Sequence, residues 1–372
     1  MLKVEVLKNI TTTIENDYVK TARASGQKIV GYACLSTPRE VFDAAGIFPY
    51  RIKALGRGDT SMADAYLSRF NCGFCRACLQ LGLEGSYNFL DGIIETNGCD
   101  HLRGMFENWQ HAVPRPFFHY IRVPHLVDQD SLQWFKEEIE LLIAALNQHF
   151  ASGIDDQKLH SAIAMQNKVS SLMRQIYESR WKDDLKIYGH EIMALMVAEG
   201  SMPAADYLQL LDSFNEEIKN RKALDVRARI FMGGAATDEI SLISELEQLG
   251  GLMVADSFCF SGRVFLREAA AAEPVTRLAE IYLNNLLCPR MFMNYSGRKD
   301  YIFNLINRSK ADGAVLFHNK FCDLHGIENV KLKMDLEKEG LPVLLLEKEY
   351  GAGADIGRIK TRVQAFLEQL KR

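Results

Sequence analysis

No apolar run in this 372-residue sequence approaches the roughly 18 residues a membrane helix needs. The best candidates, Ile192–Val197 and Val343–Leu346, are short and flanked by charge. The N-terminal MLKVEVLKNITTTIENDYVK alternates charge with apolar residues and lacks a signal-peptide core, so the expected location is the cytoplasm, without a membrane contact. An excess of one charge is missing too. With 44 Lys and Arg against 48 Asp and Glu, the net charge of -4 gives no general attraction to nucleic acid, which is not an expected partner. Compositional bias is absent: 48% apolar and 25% charged residues exclude a mainly disordered, collagen-like or disulfide-scaffold chain. Nucleotide motifs are lacking as well. GAGADIG at 351–357 fits neither GxGxxG nor GxxxxGK[ST] and is predicted to be a capping loop, and HEIMA at 190–194 has no second histidine to make HExxH.

What is present is an alternation of strand and helix signals at both ends of the chain. KIVGYACLSTPREVFDAAGIFPYRI predicts a strand (29–35), a short helix ending at Gly46 and a second strand; a helix over 61–83 and strands over 89–95 and 116–123 follow. From Ser131 to about Ala223 apolar residues recur three and four apart, which predicts helices. Strand signals return at 229–232, 252–257, 313–317 and 343–347, with helices at 238–249, 276–287 and 356–370 between and after them. The expected fold is α/β, two parallel-sheet, Rossmann- or flavodoxin-like lobes (1–130 and 226–372) around an intervening helical segment (131–225).

Two segments echo one another. DGIIETNGCD at 91–100 and DGAVLFHNKFCD at 312–323 each run Asp-Gly, buried strand, short loop, Cys-Asp. Ligands of parallel sheets gather beyond the carboxyl ends of strands, so these loops would bring Cys99 and Cys322, one from each lobe, to a common cleft. Eight cysteines in a reducing compartment are not expected to pair as disulfides. NCGFCRACL supplies Cys72, Cys75 and Cys78 at C-x2-C-x2-C spacing, but Gly82 stands where the ferredoxin run would have its fourth cysteine, and a second zinc-ribbon CxxC is missing. Cys75 and Cys78 therefore read as packing residues on a helix that begins near Cys72. Three thiolates, Cys72, Cys99 and Cys322, would hold a [4Fe-4S] cube by three corners and leave one iron open. His101 and His318, beside the same loops, read as structural histidines or as donors to such a site.

The blocks GYACLSTPREVFDAAGIFPYRI, CGFCRACLQLGLEGSYNFLDGIIETNGCDHLR and HNKFCDLHGIENVKLKMDLEKEGLPVLLLEKEYGAGADIGRIKTRVQAFLE resemble the 2-hydroxyacyl-CoA dehydratase and benzoyl-CoA reductase family over nearly the whole chain. That resemblance implies one [4Fe-4S] cluster with an open iron, its ligands falling by motif on Cys72, Cys99 and Cys322. The implied function is that of an iron-sulfur subunit passing a low-potential electron to an acyl-CoA thioester to eliminate water. The alternatives are a benzoyl-CoA-reductase-type subunit or a non-catalytic electron-transfer subunit. The implied partners are a homologous second subunit and a separate ATP-hydrolysing iron-sulfur activator, in keeping with the missing nucleotide motif. Cys34, Cys75, Cys78, Cys259 and Cys288 depart from the family's usual subunit, while a double-cubane branch is disfavoured by Tyr87 and by an isolated Cys288. The resemblance assigns no catalytic acid or base.

Overall fold

Two short parallel sheets, each built from four strands, are joined by helices from the middle of the chain. The computed structural model describes residues 2–266, 269–351, 353 and 355–370. The chain begins with α1 (Leu2–Thr12) and α2 (Asp17–Ala24), then enters the first sheet through β1 (Ile29–Tyr32), α3 (Arg39–Ala44) and β2 (Phe48–Arg51). It continues with α4 (Gly73–Leu83), β3 (Gly92–Thr96), α5 (Asp100–Ala112) and β4 (Phe117–Ile121). The middle holds α6 (Gln129–Phe150), α7 (Asp156–Glu178), α8 (Gly189–Glu199) and α9 (Ala204–Lys219). The second sheet follows as β5 (Ala228–Gly234), α10 (Ile240–Glu247), β6 (Gly251–Ser257), α11 (Pro274–Asn284), α12 (Tyr295–Ser309), β7 (Gly313–Asn319), α13 (Asp323–Lys338), β8 (Val343–Lys348) and α14 (Ile356–Gln369).

The strand orders are β2-β1-β3-β4 and β6-β5-β7-β8, all parallel, so the two sheets share one topology. The repeated Asp-Gly–strand–Cys-Asp pattern occupies the third strand of each. Asp91 Oδ2 accepts the Ile29 N–H at 2.9 Å and Asp312 Oδ2 accepts the Arg229 N–H at 2.7 Å, so each aspartate pins the start of the neighbouring first strand. These carboxylates fix the strand register that sets where the following cysteine emerges.

The middle helices explain how the sheets are held. Asp128 and Asp155 cap α6 and α7, accepting the Ser131 and Lys158 N–H groups at 2.8 Å each. α6 packs with α11 against the first sheet, where Leu142, Leu278 and Leu283 share a core with Val30 and Ile94. α8 is apolar nearly all round and is buried between the sheets, as such a helix must be. Its two flanking glycines permit close approach: a Cβ on Gly189 would stand 2.4 Å from Met253 Cβ of β6, and one on Gly200 2.4 Å from Arg51 Cβ of β2.

One predicted element differs. The helix expected over 61–83 is a single 3-10 turn, Ala63–Ala65, followed by α4. Gln80 Oε1 accepts the N–H groups of Met62 (2.8 Å) and Ala63 (3.0 Å), and Arg76 reaches Asp64 and Thr60, so the 60s segment lies alongside α4 instead of extending it. β1 also ends earlier than its apolar run, which leaves Ala33, Cys34 and Leu35 in a loop. Of the predicted capping loop at 351–357, Ala352 and Ala354 lie outside the described residues. Among the described residues no helix is long and apolar enough to cross a membrane.

Candidate functional site

In each sheet the strand order reverses direction between the first and third strands, and the crevice beyond their carboxyl ends is where an open parallel sheet binds ligands. Here the two crevices meet in one cavity of about 430 Å3. Ala33–Leu35 after β1, Asn97–Cys99 after β3, Ala236 after β5, Cys259 after β6 and Cys322 after β7 all contribute to its wall. Asn97 and Asn319 brace the two third-strand loops, Asn97 pairing with Val123 and Asn319 Nδ2 donating to the Ala236 carbonyl at 2.6 Å.

Cys72, Cys99 and Cys322 all line this cavity, and each occupies the N-cap of a helix: Cys72 of α4, Cys99 of α5 and Cys322 of α13. A helix start presents unpaired N–H groups and the positive end of the peptide dipoles, which favours thiolate over thiol. Cys99 Sγ accepts the Leu102 N–H at 3.4 Å. Hydrogen bonds from Cys322, Cys75 and His101 pull the Cys72 thiol well below its ordinary range, while Cys75 and Cys322, hydrogen-bonded to Cys72 and buried, are pushed well above theirs. Burial raises Cys99 as well. One proton-poor sulfur among protonated neighbours suits a site that gives up its protons together when a cation arrives.

The donor set fits an iron-sulfur cube. Among the described residues no three His, Cys, Asp or Glu side chains converge on the position of a single metal ion. A cube binds each cysteine through a different iron, and thiolates are the ligands such clusters take. His101 adds a neighbour: its Nδ1 accepts the Cys72 N–H at 3.0 Å and its Nε2 lies 3.5 Å from Asp323, with the Cys72 sulfur raising its pKa above the usual imidazole value. His318 is not on the cavity and instead faces Glu347 at 3.6 Å.

Sequence reasoning did not find the rest of the wall. Seven of the eight cysteines reach the cavity, including Cys34, Cys75, Cys259 and Cys288; Cys78 alone is withdrawn into the core of the first sheet. Buried Arg51, Arg263 and Arg290 also line it, as do His325 and Tyr282, whose hydroxyl donates to Glu40 at 2.7 Å. Cys259, Arg263, Tyr282, Cys288 and Arg290 stand in none of the motifs quoted above, and they meet the rest only because the two sheets face each other.

A family model described as 2-hydroxyglutaryl-CoA dehydratase, D-component, matches residues 34–370, a span that includes β2–β4 of the first sheet, the whole second sheet and all three capping cysteines. The chain belongs to this dehydratase D-component family. It is 26% identical to the (R)-phenyllactyl-CoA dehydratase beta subunit of Clostridium sporogenes over 98% of this chain and 97% of that one. Identity to one of the subunits of benzoyl-CoA reductase from Thauera aromatica is 22%, covering 93% and 91% of the two chains. With the (R)-2-hydroxyglutaryl-CoA dehydratase beta subunit of Acidaminococcus fermentans it is 21%, covering 94% of each. All three relatives are named as subunits, so this D-component-family chain is a dehydratase- or reductase-type component for which partner subunits are implied.

Proposed function

We propose that the chain is the iron-sulfur subunit of a radical 2-hydroxyacyl-CoA dehydratase, holding one [4Fe-4S] cluster through Cys72, Cys99 and Cys322. The observation that carries this reading is the convergence of three helix-capping cysteines, from both sheets, on one cavity. When bound, a cluster with one iron free of protein thiolate supplies a low-potential electron and an open Lewis-acid corner.

The chain's own residues prepare the surroundings. Phe74, Phe260, Ile281, Leu286 and Leu287 give the cavity a largely apolar wall, which keeps water from a reactive acyl group. Its volume falls within the range of small-ligand sites and accommodates an acyl thioester, with the nucleotide end of coenzyme A left outside. His101, held at Nδ1 by the Cys72 N–H, presents its other nitrogen toward Asp323. Tyr282 keeps its hydroxyl proton directed at Glu40. The partners of this reading are a homologous second subunit and a separate ATP-hydrolysing iron-sulfur activator.

The test is metal analysis followed by turnover. Anaerobically purified protein is expected to carry about four iron and four acid-labile sulfide per chain. With its partner subunit and activator it should dehydrate a 2-hydroxyacyl-CoA using catalytic rather than stoichiometric electrons. Zinc without sulfide would overturn the cluster assignment, and electron consumption matching product formation would move the chain to the reductase side of its family.

A further inference from the structure

Six arginines are buried among the described residues, and they divide by position. Arg39 pairs with Glu199, Arg180 with Asp256 at 2.9 Å and Arg298 with Glu328; none of these three lines the large cavity. Arg51, Arg263 and Arg290 all line it, and among the described residues none of them pairs with a carboxylate. What separates the cavity's three is the number of N–H groups each has left. Arg290 has none, since its five go to the Gly98, Val123 and Pro124 carbonyls, Met291 Sδ and His125 Nε2. Arg263 donates to the Leu287 and Phe258 carbonyls, and its Nε, although unpartnered, is enclosed. Arg51 commits Nε to the Ala33 carbonyl at 3.2 Å and Nη2 to the Cys259 carbonyl at 3.0 Å, which leaves Nη1 without a partner among the described residues. Unlike Arg263 Nε, that group is not enclosed. Arg51 is only 3% exposed, so Nη1 opens to the cavity that the residue lines.

The direction of this free group is fixed from three sides. The Phe260 ring covers one face of the guanidinium at 3.7 Å, the Cys259 carbonyl holds one end, and Arg263 Nη2 holds the Phe258 carbonyl one residue earlier at 2.8 Å. A guanidinium stays charged, and in a largely apolar wall its charge acts on a neighbour with little screening. The chemistry proposed for the cavity develops a matching negative charge. One electron, from the low-potential centre proposed above, enters the thioester carbonyl; no bond breaks, no proton moves, and the charge gathers on the carbonyl oxygen. A cation at that oxygen makes the thioester an easier acceptor, and its hydrogen bond strengthens as the charge develops.

We propose that Arg51 Nη1 donates to the carbonyl oxygen of the bound acyl thioester, polarising it before reaction and stabilising the charge that reduction places there. This rests on the reading of the cavity as an acyl-thioester site and adds to it the residue that activates the thioester. Arg263 acts through Arg51, as a positioning residue for the Phe258–Cys259 segment that both arginines grip.

The carbonyl's own vibration tests this without turnover. Butyryl-CoA labelled with carbon-13 at the thioester carbon has no 2-hydroxyl to eliminate, and its C=O band is read by isotope-edited infrared difference on the anaerobic, full-length protein, with iron content measured. The bound band is expected below its position in water. In Arg51→Met, with iron retained, it should return toward that position, while affinity for butyryl-CoA falls by less than about tenfold, because the oxygen carries no full charge before reduction. Arg51→Lys, which keeps the charge without the fork, should retain part of the downshift. A band in the unmutated protein no lower than in water would overturn the proposal, whether or not a variant folds. So would a downshift that survives intact in Arg51→Met, which leaves the polarisation to another group, or an Arg51→Met protein that keeps its iron and no longer binds butyryl-CoA, which marks an arginine that only shapes the cavity. Where butyryl-CoA binds, such a result removes the role of Arg51 alone; if the iron-loaded, unmutated protein does not bind it, the acyl-thioester reading falls as well.

Discussion

The two sheets have the same strand order, yet the loops at their carboxyl ends do different work. In the first sheet the loops after β1 and β3 deliver Cys34 and Cys99 to the cavity. In the second, the loop after β7 delivers Cys322, while the loop after β5 gives the cavity Ala236 and turns its next residues to the joint between the sheets. There Asp238 accepts the N–H groups of Ala54 at 2.7 Å and Leu55 at 2.8 Å together with the Tyr350 hydroxyl. Glu239 meanwhile pairs with buried Lys348. Topology thus fixes where a site can form, and side chains decide which of four equivalent loops carry chemistry and which carry load.

The largest expected effect breaks that division at the cavity. Cys72→Ser, Cys99→Ser and Cys322→Ser should each lower iron and sulfide content or shift the visible spectrum, and each should abolish turnover, since a hydroxyl is a poor ligand where thiolate is preferred. Iron analysis on anaerobically purified variants checks this. Full cluster content in Cys99→Ser or Cys322→Ser, with an empty site in Cys75→Ser, would shift the centre to the C-x2-C-x2-C segment and take the cleft out of the assignment.

The second effect falls on the joint. Asp238→Ala leaves two backbone donors and a buried tyrosine hydroxyl without their acceptor, so it should cost about 3–5 kcal/mol of unfolding free energy in a denaturant titration. Iron content in the fraction that remains folded should be unchanged. A cluster lost before stability falls would mean that the loop after β5 also positions the cavity's ligands.

Much of this arrangement was legible in the sequence because it depends on local signals. The parallel sheets follow from alternating strand and helix patterns, and the third strands from Asp-Gly ahead of a buried run and Cys-Asp after it. α13 was not legible, because its apolar residues point both ways: Leu332 and Leu336 are buried while Ile327 and Met334 are 69% and 62% exposed. No single stripe marks such a helix. The three capping cysteines could be named from the sequence, but Arg51, Arg263 and Arg290 could not, since nothing in their neighbourhoods says that the chain will bury them without a carboxylate.

A third prediction probes the joint through pH. Lys53 is fully buried, donating to the Ile10 carbonyl at 2.9 Å and to Ser201 Oγ at 2.6 Å, and burial lowers its pKa to about 7. In the unfolded chain a lysine titrates near 10.4. Between those values the unfolded state binds more protons, so stability should rise with pH from about 7 toward 10. Below pH 7 both states are protonated and the penalty for burying the charge is constant. The gain between pH 7 and 9 should be about 2 kcal/mol, and Lys53→Met should flatten that slope and be more stable at pH 7. A slope that survives in the variant would assign it to another group.

The smallest effect separates a packing cysteine from its cavity-lining neighbours. Cys78 lies three residues beyond Cys75 on α4, but it is fully buried in the first sheet's core and does not reach the cavity. Desolvation pushes its thiol well above the ordinary range, so it is an uncharged apolar group in practice. Cys78→Ser puts a hydroxyl where a sulfur made only dispersion contacts, which should cost about 1–3 kcal/mol in a thermal or denaturant melt while leaving the spectrum and iron content intact. Cys78→Ala should cost less than the serine variant, because it leaves a small void but no unpaired donor. If alanine proved the worse substitution, the sulfur's bulk rather than its apolarity would be what the site requires. Loss of iron in either variant would show that the core behind α4 positions Cys72, and the line between packing and chemistry would have to move one helical turn inward.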